Sequence, residues 1–128
     1  MPKVRGHVVQ GEGEGRTTGY PTANLKLESA SYRPHPGVYV AWVEGAAPER
    51  CLALLVSGVA WEEPGTPRIE VYLLDFNADL YGVSLTVELG RRLRDIERFG
   101  SRQELIRRIE ADVATARKLG GPPRAKAH

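Results

Sequence analysis

Residues 68–76 read RIEVYLLDF. Side chains alternate across a strand, so Ile69, Val71 and Leu73 share one face and Glu70, Tyr72 and Leu74 the other. A strand with apolar side chains on both faces needs cover on both sides. Glu70 stands on the second face between Tyr72 and Leu74. A covered face would desolvate its carboxylate and raise its proton affinity. On spacing alone the better reading is a solvent-facing glutamate.

The same pattern extends outward from this stretch. VRGHVV, NLKLE, GVYVAWVEG, CLALLVSGV and GVSLTVELGRRL are further strand-like runs, separated by glycine- and proline-rich turns. Val38, Val40 and Trp42 share a face, with Tyr39, Ala41 and Val43 opposite. CLALLVSGV is nearly all apolar and suits a strand buried on both faces, although periodicity does not separate it from a helix. Five or six short strands at this spacing predict a closed or sandwich-like β fold. The pattern changes at Ser101-Arg102-Gln103-Glu104, a capping box. Leu105, Ile109, Val113 and Ala116 follow at helical spacing, with Ile106 beside them, and Gly120-Gly121-Pro122-Pro123 ends the helix. The expected domain is 1–119, with 120–128 a disordered tail.

The 128 residues favour one domain, and 18 basic against 16 acidic side chains leave a net charge of +2. That balance argues against a nucleic-acid or membrane-surface protein. The lone Cys51 forms no internal disulfide and reads as a small core hydrophobe. No apolar run is long enough to span a bilayer, and MPKVRGHVV lacks a signal-peptide core. A cytoplasmic monomer is the expectation.

GEGEGRTTGYPTANLKL, residues 11–27, is the other stretch that suggests chemistry. Gly11, Gly13, Gly15 and Gly19 would let backbone N–H groups converge on an anion, and Arg16 could add charge. On glycine content alone a plain turn is favoured. Thr22 and Asn24 are two apart, so an extended strand puts their hard oxygen donors on one face. Turns in which both side chains bond their own backbone are an equally good reading.

These segments, with PGVYVAWV, RIEVYLLDFNADLYG and RLRDIERFGSRQELIRRIEADVATA, resemble the riboflavin kinase (flavokinase) family from about Val4 to Ala116. The likeness is to the C-terminal half of bacterial bifunctional FAD synthetases, here read as standing alone, since the nucleotidyltransferase histidine motif is missing. It implies a mainly β fold, a six-stranded antiparallel Greek-key barrel closed by a C-terminal α-helix. It implies transfer of the ATP γ-phosphate to riboflavin, giving FMN, with Mg²⁺ held by Thr22 and Asn24. Gly11, Gly13, Gly15 and Arg16 would arch over the nucleotide, and Glu70 would be the base. Arg94, Glu97 and Phe99 would bound the flavin slot; helix entry and core packing are their plainer reading. A flavin- or nucleotide-binding module without turnover is the alternative. The chain departs from the family pattern at Glu14 and Thr18. It departs further at Val56-Ser57-Gly58, where N-I-G is usual, a change that bears on flavin or nucleotide fit.

Overall fold

The computed structural model describes residues 2–9, 20, 22–58, 67–75 and 79–120. Six strands precede one helix: β1 (Lys3–Val9), β2 (Thr22–Leu27), β3 (Gly37–Glu44), β4 (Cys51–Gly58), β5 (Arg68–Leu73), β6 (Ser84–Arg94) and α1 (Arg102–Gly120). Every strand pairing is antiparallel, and the order β1-β2-β5-β4-β3-β6 closes into a barrel. The β1–β6 and β2–β5 neighbours are far apart in the chain, which is the expected Greek-key connectivity.

The barrel interior takes one set of alternating side chains, among them Val4, Val8, Ala23, Leu25, Ala41, Val43, Leu55, Ile69, Val71, Leu73 and Val87. Cys51 is in this core, as its apolar context predicts. The opposite faces of β3, β4 and β5 are also buried. Val38, Val40, Leu52, Leu54, Tyr72 and Leu74 form a second core with Ile109, Val113 and Ala116 of α1. The helix therefore lies on the outer wall of the barrel. This explains why β4 reads as a continuous apolar run: Ala53 and Leu55 face inward, Leu52 and Leu54 face the helix.

Two glycines allow close approaches that a side chain would block. A Cβ on Gly6 would collide with the backbone carbonyl of Lys26, where β2 crosses closely over β1. A Cβ on Gly90 would lie 2.9 Å from the Trp42 ring, beside the irregular β3–β6 register. Trp42 packs against the second core, under the Arg50 guanidinium at 5.4 Å.

The helix is held at both ends. The Glu104 N–H donates to Ser101 Oγ at 3.2 Å, as the capping box predicts. The Glu104 carboxylate accepts from the Gly100 N–H at 3.0 Å, one residue earlier than the motif implies. In the last turn, Arg117 donates to Asp75 at 3.0 Å and to the Leu74 carbonyl at 3.3 Å. Gly120 belongs to α1 and rests on Leu52, while residues 121–128 lie outside the described residues.

The DLYG segment is scaffold. Asp79 accepts the Tyr81 N–H at 3.0 Å, Val83 N–H bonds Leu80 O at 2.8 Å, and Gly82 takes φ 83°. Gly82 N–H then bonds Val8 O at 2.9 Å, tying this turn to β1.

Candidate active site

The outer wall of the barrel, the end of β6, the 95–101 segment and α1 border a half-open cavity of about 240 Å³. Val38, Leu54, Val56, Leu105 and Ile109 give it an apolar surface; Glu70, Tyr72, Arg94, Glu97, Phe99 and Asp112 add polar and aromatic groups. Typical small-molecule pockets run to roughly 300–1,000 Å³. This one has room for a single ring system. Glu70, the base that the family resemblance implies, and Arg94, Glu97 and Phe99, the flavin contacts it implies, line one cavity.

Strand register places Thr22 and Asn24 beside it. Asn24 stands opposite Glu70 and Thr22 opposite Tyr72 across β2–β5. Directly paired residues share a face of the sheet. On the other flank, Val56 of β4 stands opposite Glu70. Glu70 therefore sits at a seam, with an amide and a hydroxyl towards β2 and the apolar cavity towards β4. Val56 occupies the position where the family pattern has asparagine, so that departure stands directly across the strand pair from Glu70. Its neighbour Ser57 is fully buried and donates to the Pro34 carbonyl at 2.9 Å, a structural role. Gly11, Gly13, Gly15, Gly19, Arg16, Glu14, Thr18 and Trp61 lie outside the described residues.

The Thr22 hydroxyl donates to the Tyr20 carbonyl at 3.1 Å. This is the local turn bond foreseen as the structural reading, and it leaves the oxygen lone pairs available to a cation. No group of three or more His, Cys, Asp and Glu side chains able to hold a metal occurs among the described residues. The Thr22 and Asn24 oxygens are hard but neutral. They fit Mg²⁺ delivered with an anionic ligand rather than a metal held by protein charge alone.

Tyr72 is only 7% exposed. Burial first, and then the nearby Glu70 charge, push its phenol from 10.0 up to about 12, against partial opposition from Arg94. It stays protonated at neutral pH and can act as a donor to the cavity. Because the folded value lies above the unfolded one, the stabilisation is present below pH 10 and is lost as pH rises towards 12. Alkaline unfolding should show this directly. The wild type should lose up to about 2–3 kcal/mol across that window, and Tyr72→Phe should lose less. Identical alkaline profiles would remove Tyr72 as the cause.

Arg94 makes a two-pronged contact with Asp112. Nε lies 3.1 and 3.0 Å from the two carboxylate oxygens and Nη2 lies 2.7 Å from Oδ2. Nη1 donates to the Asp95 carbonyl at 3.0 Å, and the guanidinium carbon sits 6.0 Å from the Phe99 ring centre. Glu97 pairs with Arg108 at 3.5 Å near the surface. Asp112 is absent from the sequence assignments. Its signal was available: Leu105, Ile109, Asp112 and Ala116 fall on one helical stripe, so a charge stands at a core position.

The comparisons with known proteins agree with this geometry. A family model described as "Flavokinase: Riboflavin kinase" matches residues 1–120. The chain belongs to the riboflavin kinase family. The bifunctional riboflavin kinase/FMN adenylyltransferase of Bacillus subtilis is 36% identical over 116 residues, covering 88% of this chain and 37% of that protein. Among solved structures, the riboflavin kinase of Trypanosoma brucei superposes with a TM-score of 0.64 at 25% identity, over 91% of this chain and 78% of that one. A Streptococcus pneumoniae structure titled a macrolide-efflux protein gives a TM-score of 0.82 at 39% identity, over 91% of this chain and 38% of that one. The chain spans a little over a third of the length of the curated relatives it matches. The fold is the six-stranded antiparallel Greek-key barrel with a C-terminal helix that the family resemblance implies, and no described helix is long and apolar enough to cross a membrane.

Proposed function

We propose that this chain phosphorylates riboflavin, using ATP, to give FMN and ADP. The carrying observation is the seam at Glu70: a proton acceptor between two oxygen donors on β2 and an apolar, aromatic-edged cavity. The isoalloxazine ring occupies the cavity against Val38, Leu54, Phe99 and Ile109. Glu70 takes the proton of the ribityl 5′-hydroxyl as that oxygen bonds to the γ-phosphorus and the bond to the β-phosphate oxygen breaks. Catalysis of this kind is mostly positioning and charge neutralisation. Thr22 and Asn24 would hold Mg²⁺, which neutralises phosphate charge when bound with the nucleotide. Gly11, Gly13, Gly15 and Arg16 belong to the nucleotide side of the same reading. The reading also takes the protein as acting in the cytoplasm as a monomer.

The test is FMN formation by the purified protein from riboflavin, ATP and MgCl₂. EDTA should abolish it. Asn24→Ala should lower kcat/KM for Mg·ATP by roughly 10- to 100-fold, since even partners outside a metal's immediate shell are worth that much. Riboflavin affinity should stay close to wild type. Tight flavin binding without turnover, whatever the nucleotide, would replace the kinase reading by that of a binding module.

A further inference from the structure

We propose that Asp112 is a positioning residue for the flavin side of the site, acting through Arg94; this rests on the riboflavin kinase reading above. The side chains of Arg94 and Asp112 are 12% and 8% exposed, and both border the cavity. Around them the buried stripe of α1 is apolar: Ile109, Val113 and Ala116. An ion pair in such a place is a poor means of gaining stability, because a well-packed apolar pair commonly does as well or better. What it supplies is orientation. Asp112 grips Nε and Nη2, and the Asp95 carbonyl takes Nη1. A guanidinium carries five N–H groups, so each Nη keeps one for a further acceptor. The same guanidinium stands over Phe99. One side chain thereby links α1, the end of β6 and the 95–101 segment that contributes Ile96, Glu97 and Phe99 to the cavity. A planar fork held from behind presents donors in a fixed direction, which suits the carbonyl and nitrogen edge of a fused heteroaromatic ring.

Riboflavin binding to the full chain, followed by quenching of flavin fluorescence, tests this together with steady-state kinetics and thermal unfolding. Asp112→Asn keeps the volume and one acceptor but removes the charge and half the grip. It should weaken riboflavin binding by roughly 10- to 100-fold, the scale of loss when a positioned group shifts by about an ångström. KM for ATP should stay close to wild type. The double variant Arg94→Met/Asp112→Leu repacks the site without charge. It should unfold at or above the wild-type temperature and still bind riboflavin poorly. A pair that serves only stability predicts the opposite, with flavin affinity returning alongside the melting temperature, and that result would overturn the proposal. So would unchanged riboflavin affinity in folded Asp112→Asn. If the wild type itself binds no riboflavin, the kinase reading fails and this proposal goes with it. Wild-type binding with unaffected variants removes Asp112 alone.

Discussion

Glu70→Gln is expected to lower kcat for FMN formation by about 10²- to 10⁴-fold, the usual worth of a positioned general base. The substitution keeps the shape and one acceptor oxygen, and removes the basicity together with the charge. KM for riboflavin and for ATP should move little, since neither the apolar cavity nor the β2 oxygens change. The position supports the expectation. Glu70 is half-buried on β5, opposite Asn24 on one side and Val56 on the other, with Tyr72 next along the same face. The cavity wall limits water around the carboxylate, and the β2 flank sets the direction from which phosphate would arrive. Glu70→Asp should retain part of the activity, because the base survives but is withdrawn by one methylene. A Glu70→Gln enzyme turning over at the wild-type rate would remove Glu70 as the base and leave the fold assignment intact.

Gly6→Ala is expected to destabilise the barrel by about 3 kcal/mol, at the top of the range for overpacking. The added Cβ meets the Lys26 carbonyl and the Leu27 Cα, which are backbone atoms and cannot turn aside as a side chain could. Relief requires β2 to move away from β1 along the register Gly6–Leu27 to Val9–Asn24. That same strand carries Thr22 and Asn24. The substitution should therefore lower the urea midpoint and, in the fraction that remains folded, weaken Mg·ATP more than riboflavin. Urea denaturation with the same midpoint as wild type would show that β2 yields freely at this crossing.

Strand identity and the sharing of faces were legible where side chains alternate, because alternation is a local property; in β4, apolar on both faces, periodicity did not separate strand from helix. That Ile69, Val71 and Leu73 share one face and Glu70, Tyr72 and Leu74 the other follows from period two alone; which of the two faces lines the barrel interior does not. The helix cap and stripe were legible for the same reason, apart from the detail that Glu104 reaches Gly100. The family likeness supplied the grouping of Glu70, Arg94, Glu97 and Phe99; spacing along the chain did not. Asp112 shows the limit from the other side. It stands on a predicted buried stripe, yet its partner lies 18 residues away at the end of β6, a distance helical periodicity does not report.

The resemblance supplied the roles expected of the 11–16 loop, Thr22, Asn24 and Glu70; the pattern of the sequence by itself determined five or six strand-like runs, the two faces of the alternating ones and a capped helix. These depend on torsional preference and on the side-chain period within single segments. Only the tertiary structure decided that α1 lies over the outer wall of β3–β5, which turns an apparently solvent-facing Glu70 into the edge of a cavity. It also decided that Asn24, Glu70 and Val56 stand in one row across β2, β5 and β4. Strand register and helix docking arise from burying surfaces distant in the chain, and the free energy of that burial belongs to pairs of segments, not to either one alone.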